Sequence, residues 1–175
     1  MRTYFLIFFC VFFAATVHAE QEQTCKTSTI LASTPSSQLV DNGDGTITDS
    51  KTGLMWKKCL EGVTGDNCEK NSPSTFTWQK ALKYTETFND GDGFAGHTDW
   101  RLPSIGELCS IIEQQCYRPA INTIRFPNTP NAHVWAKTLF AGHSGFAWYV
   151  NFGDGRSYID GLQINTAVRL VRGGQ

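Results

Sequence analysis

The sequence predicts an α+β domain. Three observations carry this reading. A short strand–turn–strand pattern opens the folded part, two segments with helical spacing of apolar residues follow, and the last third is a run of strand-like segments broken by Gly, Asn and Asp. Helices followed by consecutive strands, with no regular βαβ alternation, point to two helices packed on antiparallel strands and loop-rich regions.

Residues 1–19 read as a signal peptide. Arg2 gives a positive start, residues 4–15 are an unbroken apolar run, and Val17-His18-Ala19 places small residues before Glu20. A retained anchor needs an apolar stretch of ~20 residues, and this run is shorter. No other part of the chain is apolar enough to cross a membrane. Residues 20–37, rich in Ser and Thr, read as an N-terminal arm, and 38–175 as one domain. The expected location is the periplasm, the cell surface or the medium.

Within the domain, Leu39-Val40 and Thr46-Ile47-Thr48 flank Asp41-Asn42-Gly43-Asp44-Gly45, whose Asn-Gly and Asp-Gly steps accept the positive φ of a tight hairpin. Thr52-Gly53 turns the chain into a third strand at Leu54-Met55-Trp56. Trp78, Ala81, Leu82, Thr85 and Phe88 recur at helical spacing, with Thr77 as N-cap and Asn89-Asp90-Gly91 as the stop. Ser104-Ile105-Gly106-Glu107 is a capping box in sequence. The helix it opens carries an apolar stripe of Ile105, Leu108, Cys109, Ile112 and Cys116. Beyond Pro119, residues 133–137, 146–152, 156–159 and 167–171 read as strands, and Gly153-Asp154-Gly155 joins the second to the third as a hairpin.

Five of the six cysteines lie beyond residue 19. An exported chain keeps disulfides, and an odd count leaves one thiol over. Cys59 and Cys68 flank a short polar loop and are expected to pair. Seven helical residues rise ~10.5 Å, too far for a bridge between Cys109 and Cys116 unless the helix ends early. Cys25 with Cys116 is therefore preferred, leaving Cys109 as a buried thiol.

These segments resemble the Lcl C-terminal domain family, named for the terminal domain of a collagen-like bacterial adhesin. The stretches that carry the resemblance are Asp41 to Asp49, Thr52-Gly53-Leu54-Met55-Trp56, Trp78 with Ala81-Leu82, Thr98-Asp99-Trp100-Arg101-Leu102-Pro103-Ser104, Glu107-Leu108, and Pro119-Ala120-Ile121-Asn122. Phe126-Pro127-Asn128-Thr129, Ala147-Trp148-Tyr149-Val150-Asn151-Phe152 and Val168-Arg169-Leu170-Val171-Arg172-Gly173 complete it. The family is similar in turn to C-type lectin-like folds and to the formylglycine-generating enzyme group. Arg101-Leu102-Pro103 and Val168-Arg169-Leu170 carry that likeness. The resemblance thus implies a C-type lectin-like fold and adhesion to surface or host glycans. That enzyme group works with a late cysteine pair, and no cysteine follows Cys116 here, so its activity does not carry over. No collagen-like repeat precedes the domain, so a stalk-enforced trimer is not implied, although an oligomer stays open.

Known reaction chemistries find little footing. His97, His133 and His143 have no ligand-spaced partner for zinc. Residues 41–52 miss the EF-hand pattern, since Gly43, Gly45 and Thr52 fall where oxygen ligands belong. Gly142-His143-Ser144-Gly145-Phe146 lacks the last glycine of a nucleophile elbow. No metal, cofactor or catalytic residue is expected, and the protein reads as a non-enzyme.

Charge and aromatics suggest binding instead. Residues 20–116 hold 14 acidic and 8 basic residues. Residues 117–175 hold 2 acidic residues and 6 basic ones: Arg118, Arg125, Lys137, Arg156, Arg169 and Arg172. A basic half suits an anionic partner. Trp56, Trp78 and Trp100 sit in apolar patterns and read as core. Strand alternation puts Trp148 and Tyr149 on opposite faces, one in the core and one more exposed. With Lys137, Asn151 and Arg156 they form the expected ligand site, since aromatic faces stack on sugars and basic groups pair with sulfate. The expected partner is an anionic glycan or a cell-surface protein, with no role for nucleic acid. An enzyme on the same scaffold and a docking subunit of a surface machine are the rival readings.

Overall fold

The computed structural model describes residues 22–173. The signal-peptide reading of residues 1–19 falls outside the described residues. The elements are β1 (Thr24–Cys25), β2 (Leu39–Asp41), β3 (Thr46–Asp49), β4 (Leu54–Lys57), β5 (Thr75–Phe76), α1 (Trp78–Asp90) and α2 (Ile105–Ser110). They continue with β6 (Cys116–Tyr117), β7 (His133–Leu139), β8 (Phe146–Asn151), β9 (Arg156–Gly161), β10 (Thr166–Ala167) and β11 (Val171–Arg172). The architecture is mostly sheet with two short helices, as the α+β reading expects.

Two main sheets form the body. One has the order β5-β10-β7-β8-β9 and the other β11-β4-β3-β2, while β1 and β6 make a separate pair. Every pairing is antiparallel except β10 with β7, which is parallel. The 41–45 turn does join β2 to β3 as a hairpin, with Asp41↔Ile47 and Leu39↔Asp49 in register. Its carboxylates serve the turn: Asp41 accepts from Gly43 N, and Asp44 accepts from Thr46 N.

The five-stranded sheet is covered on both faces. Trp135, Ala147 and Tyr149 point to the side where α1 brings Ala81, Trp78 and Leu82. Val134, Ala136, Val150 and Trp148 point to the other side, where α2 brings Leu108 and the second sheet brings Leu39, Ile47 and Trp56. Trp56, Trp100 and Trp135 are fully buried. Trp78 is partly buried and anchors through its indole N–H to Ala136 O. Thr77 caps α1, accepting from Lys80 N.

Two sequence expectations need correction. Helix α2 does not run to Cys116 but ends at Ser110. Ile112 leaves the helix to bridge Ile121, and the Glu113 carboxylate, 3% exposed, accepts the N–H groups of Ser33, Thr34 and Gln115. That turn delivers Cys116 to β6, where it stands opposite Cys25 in register. The Cys25–Cys116 and Cys59–Cys68 bridges are both formed. Cys109 is free and half-buried rather than buried, because α2 is too short to sink it under a second turn. The other correction concerns residues 167–171. They do not form one strand: β10 lies inside the five-stranded sheet, and β11 crosses to the edge of the other, pairing with β4.

Candidate functional site

The late strands fix which predicted residues meet. Strand β8 pairs with β9 so that Tyr149 faces Tyr158 and Asn151 faces Arg156. Across β7, Tyr149 faces Trp135 and Asn151 faces His133. Alternation places all six on one face of the sheet. Tyr149 lies between two neighbours: its ring centroid is 4.7 Å from His133 and 5.8 Å from Tyr158, and the latter pair is stacked. Trp135 and Tyr149 pack in the cluster that α1 covers, Tyr149 being 9% exposed, while His133 and Tyr158 are exposed. The result is a row of three rings across three strands.

Polar groups border the row. Asn151 commits its side-chain oxygen to Gly153 N at 2.8 Å, which leaves its amide N–H groups free to donate. Arg156 is exposed, and its guanidinium has no ion pair among the described residues. Tyr158 Oη donates to Asp154 at 2.7 Å, and that fixes its ring. Burial, then the nearby charge of Asp160, pushes the Tyr149 phenol up, so Tyr149 stays a neutral hydroxyl. Beside His133 a cleft of about 370 Å³ opens, lined by Pro73, Thr75, Asn131, Asn165 and Thr166 among others.

The remaining predicted residues do not join this group. Trp148 faces the opposite side, half-buried, with its ring 5.8 Å from Phe140. Lys137 is exposed where the β7–β8 register breaks, and its backbone N–H goes to Pro103 O. His133 and Tyr158 were missed by sequence reasoning. The signal existed: a hairpin turning at Gly153-Asp154-Gly155 places Tyr158 opposite Tyr149.

The basic half is also thinner than its count suggests. Arg169 is fully buried, donating to Lys57 O, Lys58 O and Thr129 Oγ1 with its plane over Phe126. Arg172 pairs with Asp99, and Arg125 donates to Ser36 O. Arg118, Lys137 and Arg156 remain as exposed cations of that half.

A second cleft, about 530 Å³, lies between the β2–β3 turn and the Cys59–Cys68 loop. Its two lysines are engaged: Lys57 pairs with Glu61 and Lys58 with Asp41, both at 2.8 Å. Glu61 is 2% exposed and also accepts from Tyr84 Oη. The Glu61 carboxylate is thus buried against Lys57 and Tyr84. Among the described residues, no group of three or more His, Cys, Asp or Glu side chains is placed to hold a metal ion. No helix among them is long and apolar enough to cross a membrane.

The family model for the Lcl C-terminal domain matches residues 45–172. Among curated proteins, none matches the chain.

Proposed function

We propose, because the chain belongs to the Lcl C-terminal domain family, that it is an exported, non-enzymatic binding module that adheres to surface or host glycans. The expected ligand is a sulfated or otherwise anionic polysaccharide. The C-type lectin-like fold implied by the resemblance is part of this reading. The observation that carries it is the ring row His133–Tyr149–Tyr158, exposed at His133 and Tyr158, with Asn151 and Arg156 at its end. Sugar rings present apolar C–H faces that stack on aromatic rings, and a guanidinium offers paired N–H donors to sulfate or carboxylate. Two disulfides support an oxidising compartment.

A glycan array read over a salt series tests the proposal. Sulfated glycans should bind at low salt and release as salt rises, because screening shortens from ~10 Å at 0.1 M to ~3 Å at 1 M. Tyr158→Ala and Arg156→Glu should each weaken binding with the fold intact. Lys137→Glu should weaken it less, since Lys137 stands apart from the ring row. Folded protein that ignores sulfated glycans at low salt sinks the proposal. Binding to neutral glycans alone, insensitive to salt, would instead assign the row to uncharged sugars, a reading that Asp154 and Asp160 near Tyr149 favour.

A further inference from the structure

Strand β9 is the outer strand of the five-stranded sheet, and at six residues it is the longer of that sheet's two edges. Its outward backbone groups can be identified. Leu162 N donates to Gly145 O on the inner side, and Phe140 N donates to Phe146 O across β7. In an antiparallel ladder residues alternate between bonding inward and outward. Arg156, Tyr158 and Asp160 therefore bond toward β8, and the N–H and C=O groups of Ser157 and Ile159 point outward. Tyr158 and Ile159 are 37% and 38% exposed.

The charges along this edge are complementary to themselves. Arg156 and Asp160 lie on the same face, two residues either side of Tyr158, and neither has an ion pair among the described residues. Asp160 uses its carboxylate only to accept from the adjacent Gly161 N. A two-fold axis through Tyr158 sets Arg156 of one copy opposite Asp160 of the other, twice. The same axis sets Ser157 opposite Ile159, so the outward donors and acceptors of both copies meet. Sliding the axis by one residue either way parts Arg156 from Asp160 in both pairs, so the charges favour the Tyr158 register.

We propose that this edge is a homodimer interface. Two copies of the chain pair β9 with β9 antiparallel about Tyr158 and join their sheets into one ten-stranded sheet. An isologous two-fold contact of this kind closes at two subunits. Strands paired antiparallel keep like faces together, so both ring rows fall on one side of the joined sheet. A carboxylate opposite Arg156 takes two of its five N–H donors and leaves the others available.

Sedimentation equilibrium of the folded protein without glycan, across the micromolar range, tests the interface independently of ligand binding. Wild type is expected to be a monomer–dimer equilibrium. Arg156→Asp and Asp160→Arg should each weaken dimerisation by about tenfold, because two cross-strand pairs turn from attraction to repulsion. The double variant R156D/D160R restores opposite charges in swapped positions and should recover dimerisation. Ile159→Pro removes an outward N–H from the edge and should abolish it. If that variant unfolds by circular dichroism, the charge swaps decide. A monomer throughout the range overturns the proposal, as does a trimer. So does a dimer indifferent to both single swaps, or one that the double swap fails to restore.

Discussion

Glu107 is the side chain on which the start of α2 converges. Its carboxylate accepts from Ser104 N at 2.7 Å, completing the capping box, and takes both Arg101 guanidinium nitrogens at 2.8 and 2.6 Å. Arg101 in turn donates to Gly173 O at 2.9 Å, so one residue ties the helix start to the chain's far end. Burial works against the carboxylate, but the hydrogen bonds from Arg101 and Ser104 and the charge of Arg101 outweigh it and hold Glu107 at about 2. The folded value lies below the ordinary 4.5. The stabilisation is therefore complete above pH 4.5 and is lost as pH falls through about 2. Thermal midpoints measured from neutral pH down to that range should drop for wild type, and Glu107→Gln should flatten this part of the profile. Ser104→Ala should cost about 1 kcal/mol at neutral pH, read from the denaturation midpoint. An unchanged midpoint would contradict the cap.

Among the elements, those specified by neighbours in sequence were legible and those specified from afar were not. The capping box, the Thr77 cap and the Gly-rich hairpin turns each depend on residues within a few positions. The end of α2 is different. Ile112 and Cys116 keep the helical period, but Ile121, Cys25 and the backbone of the arm at Ser33 and Thr34 claim them or their neighbour Glu113. Those partners lie many residues away, and no local pattern announces them. The arm thus hangs on Glu113 and on the Cys25–Cys116 bridge, whose cysteines are 91 residues apart. Cys25→Ala with Cys116→Ala should lower stability by roughly 2–4 kcal/mol, the usual range for closing a long loop. Chemical denaturation measures it, and a non-reducing peptide map of the unsubstituted protein should show the Cys25–Cys116 link and none between Cys109 and Cys116.

At the scale of the whole molecule, the candidate site was half legible. Tyr149, Asn151 and Arg156 share a face as strand alternation requires, but counting cations overestimated the basic surface. Arg169 is consumed by backbone carbonyls 112 and 111 positions away, a demand that composition does not reveal. Trp148 and Tyr149 are adjacent in sequence and therefore face opposite layers, so only one of them belongs to the ring row.

Residues 166–172 complete both sheets. β10 sits between β5 and β7, β11 closes against β4, and between them Val168 O and Leu170 O accept from Glu61 N and Lys57 N. Neither layer has its full set of strands until this segment is present. Contacts so distant in sequence form late in folding. A chain stopped after residue 165 is expected to stay protease-sensitive and to lack cooperative thermal unfolding, while the full chain shows both protection and a single transition. A truncated chain that melts cooperatively would place the folding nucleus elsewhere.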